Sequence, residues 1–196
     1  MDRFPRIPAK TCDGMASNEV RIIGGIWRGR KIAFPDRPGL RPTLGRVRET
    51  LFNWLRADVP GSRCLDLFAG SGALGFEAAS RGAAAVTLVE SNRRVAQGLT
   101  DTAGRLGAGQ VTVLCDHARR VLRRRVGTWD IIFLDPPFGG NDLSEVLGEI
   151  LEHSALAPEG LVYVEGSRHQ SLPTEGWREI RHGHAGDTQF RLLAAP

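Results

Sequence analysis

Residues 66–82 read DLFAGSGALGFEAASRG. The stretch opens as an apolar strand, breaks into glycines and resumes as a helix. Gly70-Ser71-Gly72-Ala73-Leu74-Gly75 matches G-x-G-x-x-G, and Glu90 closes the next apolar run. The default ligand of such a turn is a dinucleotide. Asp66 argues against it, because a carboxylate just before the glycines would repel a pyrophosphate. It suits a ligand with no phosphate and a positive ammonium. S-adenosylmethionine (SAM) has those properties.

The pattern extends in both directions from this turn. Apolar runs at 63–68, 85–90, 111–115, 130–135 and 161–165 alternate with helix-like stretches at 73–81, 91–106, 117–125 and 141–153. Strands alternating with helices predict βαβ units and a parallel sheet. The runs are apolar on both faces, as doubly covered strands should be. Residues 177–185 and 188–194 flank a Gly-Asp turn and predict a closing antiparallel hairpin. The expected fold class is α/β: a Rossmann-like, seven-stranded, mostly parallel sheet of the class I SAM-dependent methyltransferase type. A small N-terminal β-hairpin module accompanies it.

Four acids, Asp66, Glu90, Asp116 and Asp135, end parallel strands. Ligands of open α/β sheets bind at that edge. Gly70 and Gly72 let the backbone approach the methionine part of SAM. Glu90 offers two acceptors to paired ribose hydroxyls. Asp116 and His117 compete for the adenine amino group. Glu165 ends the fifth strand and receives no role.

The fourth strand stops on Asp135-Pro136-Pro137-Phe138. A proline fixes its own φ and pushes the preceding residue toward extended backbone. The Asp135 carboxylate and the Pro136 carbonyl can then be two fixed acceptors, with the Phe138 ring beside them. That set suits a planar base with an exocyclic NH₂ group. Such a nitrogen is a poor nucleophile, so two acceptors on its hydrogens orient it and raise its electron density. The gain is mostly positional. The base must leave any stack to enter.

Upstream, RIIGGIWRGRKIAFP (21–35) reads as a hairpin bearing Arg21, Trp27, Arg28, Arg30 and Lys31. Trp27 either stacks on a base or closes the hairpin. LRPTLGRVRETLFNWL (40–55) reads as a helix with Thr43 as N-cap. Val47, Leu51, Trp54 and Leu55 form its apolar stripe; Arg46, Arg48 and Glu49 are expected off it. The expected segments are an extension at 1–19, the hairpin module at 20–42 and the catalytic domain at 43–196.

Charge follows this division. Residues 1–63 hold 13 Lys/Arg against 6 Asp/Glu, and 64–196 hold 13 against 16. Of the 26 basic residues, 24 are arginine, which grips phosphate with a planar fork. A basic N-terminal third on a mildly acidic body points to nucleic acid. The arginines at 119, 120 and 123–125 read instead as a solvated helix face. Cys12, Cys64 and Cys115 make an odd set without a CxxC pair, which fits a reducing cytoplasm and no zinc site. No apolar run reaches membrane length, and no signal peptide opens the chain.

In order, RIIGGIWRGRKIAFP, RPTLGRVRETLFNWL, CLDLFAGSGALGFEAASRG and LDPPF resemble the bacterial 16S rRNA (guanine-N2) methyltransferases of the RsmD family. The resemblance implies SAM as donor, no metal, and N2 of guanine 966 in 16S rRNA as acceptor. The implied partner is the small ribosomal subunit or its assembly intermediate, met by a cytoplasmic monomer. The implied cofactor set is Asp66, Phe68, Gly70, Gly72, Glu90, Asp116, His117 and Thr43. Asp135, Pro136 and Phe138 would handle the base. Arg21, Trp27, Arg28, Arg30, Lys31, Arg41 and Arg46 would meet RNA. The chain departs from the family at Gly45, where an acid is usual. Three rival classes are a DNA adenine-N6 methyltransferase, an NAD oxidoreductase, which leaves DPPF unexplained, and a non-catalytic RNA-binding relic.

Overall fold

The computed structural model describes residues 17–35, 45–124, 127–136, 142–169 and 171–196. A two-stranded antiparallel ribbon comes first, β1 (Ser17–Arg21) with β2 (Lys31–Pro35). The main sheet holds β3 (Arg63–Asp66), β4 (Ala85–Val89), β5 (Val111–Leu114), β6 (Trp129–Leu134), β7 (Leu156–Ser167), β8 (Arg178–Ala185) and β9 (Thr188–Ala194). Their spatial order is β5-β4-β3-β6-β7-β9-β8. β3 to β7 run parallel, while β9 is antiparallel to both β7 and β8. The expected α/β sheet with its closing hairpin is therefore present.

The pleat sorts side chains onto two faces. Cys64, Ile131, Phe133 and Tyr163 bury on one, with α1 (Gly45–Trp54), α2 (Ala73–Ser80) and the ribbon. Leu65, Ile132, Leu134, Val162 and Val164 bury on the other, with α4 (Ala118–Arg123) and α5 (Asp142–Glu152). On α1, Val47, Leu51 and Phe52, and just after it Leu55, are fully covered, at about 1.5–3 kcal/mol each. Trp54 packs on Phe190 at 5.2 Å between centroids. α3 (Arg93–Leu106) starts on Asn92, whose Oδ1 accepts the N–H groups of Arg94 and Val95.

Two sequence expectations need correction here. The hairpin expected over 21–35 begins earlier than that: its first strand is Ser17–Arg21, and 22–30 form the loop. Ile22 and Gly29 still bond across the hairpin, but the middle of the loop gives donors to α2. Ile23 and Gly24 N–H groups donate to the Glu77 carboxylate, Trp27 N–H to Ser80 Oγ, and Ile26 N–H to the Ser80 carbonyl. Arg48, expected off the apolar stripe of α1, is 4% exposed. It pairs with the fully buried Glu77 and donates to the Arg21 carbonyl. Burial lowers its pKa, an effect that Glu77 opposes.

Candidate active site

Three carboxylates cluster at the carboxyl edge of three neighbouring strands: Asp66 ends β3, Asp135 directly follows β6, and Glu165 lies two residues before the end of β7. Strand pairing sets Asp66 beside Phe133 and Phe133 beside Tyr163. One step further along the same face come Asp135 and Glu165, side by side by continuation of that register. Pro136 favours extended backbone at Asp135, which preserves the step. Asp66 is 1% exposed. Burial first, then the charge of Asp135, pushes its carboxyl up to about 7, with Glu90 adding to the effect. The Phe68 N–H, 3.4 Å from Oδ1, works the other way. A buried carboxylate crowded by other acids gains from a cation and loses from a phosphate.

The glycine turn follows β3 directly. Gly70 has φ +49° and Gly72 +78°. A Cβ on Gly72 would meet Leu99 and Phe76 at 2.7 Å, and one on Gly75 would meet Leu88 Cδ2 at 2.1 Å. The protein's own packing therefore demands these two glycines, beyond any ligand approach. Glu90 braces the turn from β4: Oε2 accepts Gly70 N–H at 3.2 Å and Oε1 accepts Asn92 N–H at 2.7 Å. Each oxygen keeps a lone pair for a further donor.

A cleft of about 380 Å³ opens beside this edge, lined by Phe68, His117, Ala118, Val146 and arginines of α4. Asp116 is engaged elsewhere. Oδ1 accepts the His117 backbone N–H at 2.8 Å and Arg120 at 2.9 Å, and Oδ2 faces Arg124 at 2.8 Å. These contacts hold its carboxyl below the usual range. The α4 arginines are not a merely solvated face. Arg119 and Arg123 bind Glu149 on α5, and Arg119 also reaches Glu145. Burial works against the Glu149 charge, but these arginines outweigh it and keep its pKa low.

On the ribbon and α1, Arg21, Arg28, Arg30, Lys31 and Arg46 are exposed. Arg21 also donates to the Gly29 carbonyl, and Lys31 pairs with Glu19 at 2.6 Å. Trp27 corrects the RNA-contact set. It is 8% exposed and packs in the core, so it closes the loop and cannot offer a free face to a base. Arg41, Thr43 and Phe138 lie outside the described residues, as do 1–16 of the expected extension. The acids at the sheet edge, Gly70, Gly72 and Phe68 come together; the basic ribbon forms a separate surface across α2.

Comparison with known proteins bears on the family and the fold. A family model described as "Conserved hypothetical protein 95" matches residues 20–194. The ribosomal RNA small subunit methyltransferase D of Escherichia coli K12 is 47% identical over 178 residues, covering 90% of each chain. The chain belongs to the RsmD family. It is a methyltransferase. The solved structure of yhhF from Escherichia coli superposes with a TM-score of 0.83 at 43% identity, covering 90% of this chain and 97% of that one. SMU.776, solved with S-adenosylhomocysteine, shares the fold at TM-score 0.69 and 18% identity, covering 93% of this chain and 57% of that one.

Sequence reasoning missed Glu77 and gave Glu165 no role. A signal existed for the first: Glu77 is the only charge in the eight-residue helix ALGFEAAS. An acid in an otherwise apolar helix must find a partner if it is buried. Nothing in the local sequence places that partner on α1.

Proposed function

We propose that this chain transfers a methyl group from SAM to the exocyclic N2 of guanine 966 in 16S rRNA. The cytoplasmic substrate would be the small ribosomal subunit or its assembly intermediate, met by a monomer. One observation carries the reading: Asp135 and Pro136 directly follow β6, the strand paired with β3, at the edge where buried Asp66 opens the glycine turn. The names of the curated relatives support ribosomal RNA as the target class.

The residues present fit the donor. SAM, when bound, would supply the methyl group carried on its sulfonium. Asp66, buried and crowded by acids, would take the positive amino group, and Glu90 the ribose hydroxyls. Phe68 and His117 line the cleft suited to adenine, while the Asp116 oxygens already serve two arginines. The Asp135 carboxylate and Pro136 carbonyl would accept the two amino hydrogens of guanine, with Phe138 stacked on the ring. That alignment would orient the amino nitrogen for attack. Transfer to the nitrogen would leave one amino proton to pass to Asp135 or to water, so no strong base would be needed.

Asp135→Ala is expected to abolish methylation of small-subunit particles while leaving the Kd for SAM within about twofold of wild type, since positioning is lost and cofactor contacts are kept. A variant that still methylates would refute the role. Mass-spectrometric mapping of ribosomal RNA from a deletion strain identifies the acceptor nucleotide and atom.

A further inference from the structure

The geometry points to Glu165 as the residue that distinguishes guanine from adenine at this site, an inference that rests on the guanine-N2 reading above. Glu165 follows Val164, and Val164 pairs with Leu134, the residue before Asp135. It is therefore the cross-strand neighbour of Asp135, on the side away from Asp66. Adjacent strands lie about 4.8 Å apart, near enough for side chains on both to converge on neighbouring groups of one base. Glu165 is 4% exposed, and the Tyr163 hydroxyl donates to its Oε2 at 2.7 Å. Burial, then the charges of Glu165 and Asp135, keep that hydroxyl protonated and a donor. The carboxylate direction is thereby fixed. Nothing in methyl transfer itself uses this acid.

Guanine and adenine both carry an exocyclic amino group, so Asp135 and Pro136 alone would accept either. The two bases differ at the neighbouring ring nitrogen. Guanine N1 bears a hydrogen and donates; adenine N1 has a lone pair and accepts. Two carboxylates side by side offer only acceptors. Guanine answers them with two adjacent donors, N2–H and N1–H. Adenine would set its N1 lone pair against the Glu165 carboxylate. In a dry site such a mismatch leaves both groups unpaired, the situation in which discrimination is largest. No proton moves in this contact, and N1–H stays on the ring.

The test uses the full chain and Glu165→Gln on small-subunit particles reconstituted with ribosomal RNA carrying guanine or 2-aminopurine at the methylated position. 2-Aminopurine keeps the reacting amino group but has an acceptor at N1. The unsubstituted protein is expected to prefer guanine by about 10- to 100-fold in kcat/KM. Glu165→Gln, whose amide can turn a donor toward N1, is expected to narrow the ratio by about tenfold with SAM affinity unchanged. A wild-type ratio in that variant overturns the inference. If the variant does not fold, Tyr163→Phe retains the carboxylate and removes its clamp; a narrowed ratio then supports the inference and an unchanged one overturns it. Mass spectrometry of the same particles separates the two readings. Absence of N2-methylguanine with the unsubstituted protein removes the guanine-N2 reading and this inference with it. Its presence with an unchanged ratio removes the Glu165 role alone.

Discussion

Asp66 carries a pH dependence that follows from its place at the end of β3. Its carboxyl sits near 7 in the free protein, against an ordinary 3.8. A folded value above the unfolded one means that stability falls as pH rises from about 4 to 7 and then levels off. A cationic ligand favours the ionised form and pulls the proton off. SAM binding is therefore expected to weaken about tenfold from pH 8 to pH 6, with Asp66→Asn removing the slope. Calorimetry in two buffers of different ionisation enthalpy counts the released proton; a flat profile in the unsubstituted protein would contradict the coupling. Asp66 was legible in the sequence because an acid before G-x-G is chemically odd. Its raised pKa was not, because that depends first on burial and then on Asp135, 69 positions away in the chain but just past the neighbouring strand.

The ribbon with its loop was half legible. Alternation and glycines predicted a basic hairpin, and β1 with β2 is one. The strand start and the fate of Trp27 were not readable, because α2 recruits the loop's backbone donors. Arg28 and Arg30 remain exposed cations on that loop. Replacing both with glutamine is expected to weaken RNA affinity and to flatten the log K against log salt slope by about one to two. Lys31→Gln is expected to do less, since Glu19 already neutralises Lys31. Filter binding across a salt series decides between them, and equal slopes would remove the loop from the RNA surface.

Across the whole molecule, Glu77 joins three parts: the loop through Ile23 and Gly24, α1 through Arg48, and the far end of α2 through Arg81. Glu77→Ala would strand the Arg48 charge and is expected to cost about 3–5 kcal/mol in urea unfolding. Adding Arg48→Met is expected to recover part of that loss. If the single variant unfolds like wild type, the junction contributes little. The parallel core was legible because each of its strands announces itself locally. The placement of β9 between β7 and β8 was not, since it pairs two strands of different connectivity. That placement also bears on biosynthesis. β8 reaches the sheet only through β9, whose Leu192 and Leu193 enter the two cores. A nascent chain therefore carries β7 as a naked edge until residues 188–194 have been made and have left the exit tunnel. A chain stalled or cleaved at Gly186 would present that edge to any passing strand, making it prone to aggregate.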